Sequence, residues 1–305
     1  MIPAEACRKP IVILDLEWNG AYSKRVKGFL NEIIEFGAVR LDANLQPQDT
    51  FSALVRPQVG KKISGKIVTL TNLTDEELAS GAQFMQVVGR FRRWLGDCLL
   101  ATWGTSDILA LIENCRYFSG NGHIPFLKAY MDLQAYCESR MAYEPGKQMG
   151  LSTAAQLLGI DEKAFGHHRA LDDSLLAMRC LQAVYDGPAG FKLFSQDAEQ
   201  EAFYRRMEFR TVILSDMDHP LVRGVDLSFA CPACGSDTIR CDGWQLHNKN
   251  FWALFRCRAC HAQFYGRVQF KLKYEGLQVK KTTRPYVPPE DAPPEGSPET
   301  PLPMP

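Results

Sequence analysis

The sequence predicts an α/β protein, a mixed sheet flanked by helices, followed by a small second domain built around clustered cysteines. Three observations carry that reading. Over about the first 185 residues, apolar runs of strand length alternate with segments of helical periodicity. Five of the ten cysteines crowd into residues 231–260, whereas Cys7, Cys98, Cys115, Cys137 and Cys180 are scattered singly. Charge is also uneven: 35 basic and 35 acidic residues cancel overall, but residues 231–284 hold 10 against 3, and residues 285–305 hold 0 against 4. A length of 305 residues suits two domains.

The strand and helix signals follow in order. RKPIVILDLEW is a continuous apolar run, expected of a strand buried on both faces. EIIEFGAVRLD and TFSALVRP, separated by the turn-like DANLQPQD, extend it to a three-stranded meander. LTDEELASG opens with a capping box, Thr74 followed by Glu77, and VVGRFRRWL continues at helical spacing. CLLATWG reads as a fourth strand and SDILALIENC as a helix. YMDLQAYCESR is a strand edge running into a helix, LSTAAQLLGI a helix ending at Gly159, and RALDDSLLAMRCLQAVY a long amphipathic helix. FKLFSQDAEQEAFYRRMEF is expected to be helical, and TVILSDMDHPLVRGVDLSF an extended connector with one strand. PYVPPEDAPPEGSPETPLPMP, with 9 prolines in 21 residues, is expected to be disordered.

Composition excludes several classes. With 46% hydrophobic and 23% charged residues, the chain is neither collagen-like nor an acidic solvating polymer. No stretch approaches the roughly 18 apolar residues of a membrane span. The first apolar run carries Asp15 and Glu17, which is wrong for a signal-peptide core, so a soluble cytoplasmic protein is expected.

Asp15 and Glu17 stand at i and i+2 of a strand, so both leave one face and can converge on one ion. A lone pair of this kind is weak evidence, because acids at strand ends often only cap loops. Its company adds weight. Asp107 starts the helix after CLLATWG, and HHRALDDS places His168 five residues before Asp173 at the start of another helix. Four carboxylates and one histidine thus sit at the ends of buried elements.

These residues resemble the DEDDh exonucleases, the DnaQ-like branch of the ribonuclease-H-like fold. The apolar strand ending in DxE matches IVILDLEW, EIIEFGAV is similar to the strand that follows, the second aspartate falls on Asp107, and HxAxxD falls on His168 and Asp173. The resemblance covers residues 8 to 185, and the WGTSD and LTNLTDEEL segments look most like Eri-type exoribonucleases. It implies a 3′-to-5′ exonuclease with two Mg²⁺ or Mn²⁺ ions. Asp15, Glu17 and Asp173 would hold one ion, Asp15 would bridge with Asp107 to the other, and His168 would act as general base. The spacing selects His168 over His167 and Asp173 over Asp172. Leu16 and Trp18, flanking the acids, could wedge against a terminal base or pack in the core.

CPAC and CRAC supply Cys231, Cys234, Cys257 and Cys260 as two CxxC knuckles separated by 22 residues, the spacing of a closed, structural Zn²⁺ site. Cys241, His247 and His261 read as ordinary residues beside it. The segment resembles the zinc ribbons of transposases and transcription proteins. Its basic and aromatic residues, Trp244, Trp252, Arg256, Arg258 and Arg267 foremost, suit single-stranded nucleic acid; the bland alternative is a protein-docking module whose aromatics are its core. The expected organisation is an exonuclease domain over 8–188, a connector over 189–226, a zinc ribbon over 227–284 and a tail over 285–305. The expected partner is a single-stranded RNA or DNA 3′ end. A protein partner could also engage the ribbon or the Pro-rich tail, and no membrane is expected. The rival reading is a catalytically silent nucleic-acid-binding or regulatory protein.

Overall fold

Strand β1 (Ile11–Ser23) opens with four consecutive buried aliphatic residues because it lies between β2 (Gly28–Leu41) and β4 (Leu99–Thr102) with helices on both faces. The computed structural model describes residues 9–143, 147–162 and 169–287. Strand β3 (Pro47–Leu54) completes the meander, and β5 (Ala129–Asp132) and β6 (Ser195–Asp197) extend the sheet to the order β3-β2-β1-β4-β5-β6. β1, β4 and β5 are parallel, whereas β2, β3 and β6 run antiparallel to their neighbours.

Alternation along β1 divides two cores. Val12, Leu14 and Leu16 face α3 (Phe84–Leu95) and α4 (Ser106–Ser119). Ile11 and Ile13 share the opposite core with α5 (Leu133–Arg140), α6 (Leu151–Leu157) and α7 (Ala170–Val184). Short helices α1 (Gly65–Thr71) and α2 (Asp75–Ala79) cover Ile34 through Leu73 and Leu78. Thr74 and Glu77 form the expected capping box at the start of α2.

The segment 191–209 departs from the single helix expected. It divides among α8 (Pro188–Phe194), β6 and α9 (Glu201–Glu208), because Ser195–Asp197 finds an open edge on β5. Helix α9 then packs Phe203 on Tyr130 and hydrogen-bonds Tyr204 to the backbone of Ile124, while Glu208 pairs with Arg116. The first compact unit therefore runs to Glu208 rather than to residue 188, and the second starts at Phe209.

That second unit is an antiparallel sheet of β10 (Asn250–Cys257), β11 (Gln263–Lys273) and β12 (Gly276–Pro285). β7 (Val212–Leu214) pairs with β11, while β8 (Thr238–Arg240) and β9 (Gln245–His247) pair with β10. Phe229, Phe251, Phe255, Phe264 and Phe270 fill one side. Gly266 allows this packing, for a Cβ there would lie 2.6 Å from the Phe255 ring and 2.8 Å from Phe229. At about 1.5–3 kcal/mol per buried phenylalanine, so small a core leaves a large share of the stability to the cysteines. Residues 288–305, most of the Pro-rich tail, lie outside the described residues.

Candidate active site and thiolate cluster

Asp15 and Glu17 lie two apart on β1, and α7 brings Asp173 to them from its first turn. Carboxylate oxygens of these three lie within 4.8 Å of one another, while Asp172 and Asp107 are not members of that group. Asp107 stands in the first turn of α4, 5% exposed, and its Oδ1 accepts the backbone N–H of Leu16 at 3.0 Å, between the two β1 acids. The pairing of β1 with β2 shifts register after Glu17, leaving Ile34 as an extra residue on β2. Such a bulge changes how side chains are aimed beside it.

Crowding these acids together costs free energy in the absence of cations. Burial pushes Glu17 up to about 8, helped by the charges of Asp173, Glu35 and Asp107. Burial likewise raises Asp107 to about 7 and lifts Asp15 well above the usual carboxylate range, with Asp107 and Asp173 adding repulsion. A set of hard oxygen donors that repel one another fits divalent cations, whose charge offsets the repulsion.

The contacts that hold α7 in place are less visible in the sequence. Glu35, on β2 opposite Glu17, is 1% exposed and accepts Arg169 Nη2 at 2.7 Å and the Ala170 amide at 3.3 Å. Ser174 Oγ donates to the Gly37 carbonyl at 2.8 Å. Gly37 is required, because a Cβ there would fall 2.0 Å from the backbone of Ala170 and Leu171. Glu32, 1% exposed, gathers the amides of Gln58, Val59 and Gly60 at 2.5–2.8 Å and ties that loop beside β1. The available signal for Glu32 and Glu35 was an acid inside an otherwise apolar strand, which demands a buried partner.

In the second unit, Cys231, Cys234, Cys257 and Cys260 offer four sulfurs mutually within 4.8 Å. Three Sγ–Sγ distances are 3.5–3.6 Å. A metal–sulfur bond of about 2.3 Å in a tetrahedron gives an edge near 3.8 Å, so the cluster fits a tetrahedral thiolate ion. The Ser236 hydroxyl and amide lower Cys234 to about 6, and the amide of Cys260 lowers Cys257. Although the Ala262 amide favours the Cys260 thiolate, its three sulfur neighbours push it up to about 12, the penalty a bound cation would remove.

Other expected residues fall variously. Leu16 is 3% exposed inside the first core, so its side chain packs and does not wedge a base; its contribution is the amide that holds Asp107. Trp18 is half-buried against the same core. Trp244, half-buried, packs against Phe255 under Arg240 at the rim of the second core. Trp252, Arg256 and Arg267 share one outward sheet face, whereas Arg258 sits exposed in the second knuckle. His167 and His168 lie outside the described residues.

A ribonuclease-H-like sheet with clustered acids midway along its first strand defines a metal-dependent nuclease. The Exonuclease family (RNase_T) matches residues 12–181, more than half of the chain, and the protein belongs to that family. It is 30% identical over 181 residues to "Probable 3′-5′ exonuclease KapD" of Bacillus subtilis (strain 168), covering 57% of this chain and 83% of that one. It is also 30% identical over 170 residues to mouse 3′-5′ exoribonuclease 1, covering 50% of this chain and 48% of that protein, about half the relative's length. Among solved structures, the nuclease domain of 3′hExo, a DEDDh family member bound to rAMP, is similar at 25% identity and a TM-score of 0.50. That likeness covers 57% of this chain and 90% of the domain. No helix among the described residues is long and apolar enough to cross a membrane.

Proposed function

We propose that this chain is a divalent-metal-dependent 3′-to-5′ exonuclease acting on single strands or 3′ overhangs, with RNA favoured over DNA. The observation that carries it is the convergence of Asp15, Glu17 and Asp173 within 4.8 Å on a family-matched sheet. The exoribonuclease named among the relatives supports the preference for RNA. An intact carboxylate set leaves the silent-binding alternative without a supporting observation.

Asp15, Glu17 and Asp173 would hold one Mg²⁺ or Mn²⁺, and Asp15 with Asp107 a second. When bound, such ions spread the charge developing on the phosphate and lower the pKa of water. The chain's own residues position the reaction. The Leu16 amide fixes Asp107, the Glu35–Arg169 pair and the Gly37 contact fix the helix carrying Asp173, and burial excludes bulk water. His168, placed by the HxAxxD spacing, would take the proton from the attacking water, since an imidazole near its ordinary ~6.5 is half-ready at neutral pH. The four cysteines would hold one structural Zn²⁺, and the second unit would help bind the substrate strand. Nine unpaired cysteines among the described residues suit a reducing cytoplasm.

The test is a strand of RNA labelled at its 5′ end, incubated with Mg²⁺ or Mn²⁺ and sampled over time. The expected result is a ladder shortening from the unlabelled 3′ end, abolished by chelator and by Asp173→Asn. Immediate release of the label as a mononucleotide, or an unchanged ladder in Asp173→Asn, would overturn the reading.

A further inference from the structure

The second sheet has a buried face and an open face, and their residues differ sharply. Along β10 the core takes Phe251, Ala253, Phe255 and Cys257, leaving Trp252, Leu254 and Arg256 on the other side. β11 alternates in the same way, with Phe264, Gly266, Val268 and Phe270 inward and Tyr265, Arg267, Gln269 and Lys271 outward. Register continues the pattern across β12, where Trp252 opposes Arg267 and Arg267 opposes Thr282, while Tyr265 opposes Arg284 and Gln269 opposes Lys280.

The outward positions of these three strands include Arg256, Arg267, Lys271, Lys280 and Arg284 and no acid. A folded surface usually intersperses both signs, so six cations, Lys273 included, with no acid beside them among the outward positions of the described strands favour a polyanion that offsets their mutual repulsion. Asp242, at the edge of that face, accepts the Leu254 amide at 2.7 Å. Rings stand among the cations. Arg267 lies over the Trp252 indole at 5.5 Å and is oriented by Asn250 Oδ1 at 3.0 Å, and Tyr265 and Tyr286 meet with centroids 5.7 Å apart. A sheet face with planar groups between fixed charges suits unpaired bases, whose faces stack on rings while the phosphates meet the cations. A duplex hides its base faces, and an acidic protein partner would meet the cations but leave the stacking faces of the rings unused.

We infer that the outward face of β10, β11 and β12 is a platform for single-stranded nucleic acid. This deepens the exonuclease reading and rests on it for the identity of the strand as substrate. It also moves the expected contacts, keeping Trp252, Arg256 and Arg267, dropping Trp244 and Arg258, and adding Tyr265, Lys271, Lys280 and Arg284.

The experiment uses the full chain carrying Lys280→Glu with Arg284→Glu, both exposed on β12, beside Arg258→Glu, which carries the same kind of reversal off the face. Binding of a 30-nucleotide single strand is measured across a salt series in an Asp15→Asn background, which prevents cleavage. Hydrolysis of a dinucleotide is measured with Asp15 intact. The double reversal should weaken strand binding at least tenfold and flatten the log–log salt slope by roughly 1.4, at about 0.7 per lost phosphate contact. Arg258→Glu should leave both the slope and dinucleotide turnover near their starting values. RNA and DNA strands of one sequence, run in parallel, identify the sugar that the face accepts. Unchanged binding in the double variant, an equal loss in Arg258→Glu, or equal affinity for a duplex of the same length would overturn the platform. A failure of dinucleotide hydrolysis in the unmodified protein would instead count against the nuclease reading and leaves the strand-binding result to stand by itself.

Discussion

The two ion-ready clusters in this chain are built in opposite ways. The carboxylates come from three elements far apart in sequence, with Asp107 buried and Asp15, Glu17 and Asp173 half-buried, and are held by other buried polar groups such as Glu35 and the Leu16 amide. The thiolates come from two local knuckles within thirty residues, half of them exposed, and are favoured by neighbouring backbone amides. The first unit has large cores on both sheet faces and can hold its acids in place without ions, at a cost in repulsion. The second has one small core, so its ion should be part of what folds it. One cluster is therefore expected to need its metal for chemistry and the other for structure.

The largest effect should follow from breaking the structural side. In Cys257→Ser the chain should lose its equivalent of zinc and the second unit should unfold, because apparent binding energies of about 10 kcal/mol or more support such sites. Zinc content and protection from protease read this directly, and dinucleotide turnover should stay within about twofold. A second unit that keeps its protection without zinc would show that the phenylalanine core suffices and would erase the contrast.

Next in size is Glu35→Gln, which leaves the half-exposed Arg169 without its carboxylate. Breaking a buried pair costs about 3–5 kcal/mol; with Arg169's side chain 38% exposed, about 2 kcal/mol is expected here. Because the pair sets the start of α7, turnover should also fall roughly tenfold or more as Asp173 shifts. A merely structural role would lower the melting temperature and leave turnover per folded molecule unchanged, so the two readouts separate positioning from stability.

Much of the contrast was legible in the sequence, and its limits have physical causes. Strong patterns survived: the doubly buried run at Ile11–Leu14, the capping box at Thr74, and Asp173 chosen over Asp172 by the HxAxxD spacing. Long-range pairing did not announce itself. Ser195–Asp197 has no strand signature and becomes a strand because β5 offers an edge. Likewise, Leu16 looked able to reach a base because its neighbours are acids, but alternation along β1 sends it into the core. The outward platform of the second sheet was half visible, since composition shows a basic, aromatic segment and only register shows which of its residues share a face.

A smaller effect concerns pH. Glu17 and Asp107 are raised in the folded state to about 8 and about 7, so the folded protein holds protons that the unfolded chain releases near pH 4. The stability they contribute is fully present below that unfolded value and is lost as pH rises through 7 to 8. In chelator, melting temperature should therefore fall between pH 6 and pH 8.5, and Glu17→Gln should flatten the fall. Saturating Mg²⁺ should flatten it too, by supplying the opposing charge. A steeper fall in Glu17→Gln would contradict the assigned direction.

The most direct test of the central claim is a titration of Mn²⁺ into zinc-loaded protein, following bound ions and single-strand hydrolysis together, in the unmodified chain and in Asp173→Asn. The account predicts two Mn²⁺ beyond the zinc, hydrolysis that rises with their binding, and a loss of at least roughly a thousandfold in turnover in Asp173→Asn with no loss of melting temperature in chelator, since the substitution removes a charge from a repelling set. Hydrolysis that proceeds without Mn²⁺ or other added divalent ions, or that survives intact in Asp173→Asn, would contradict it.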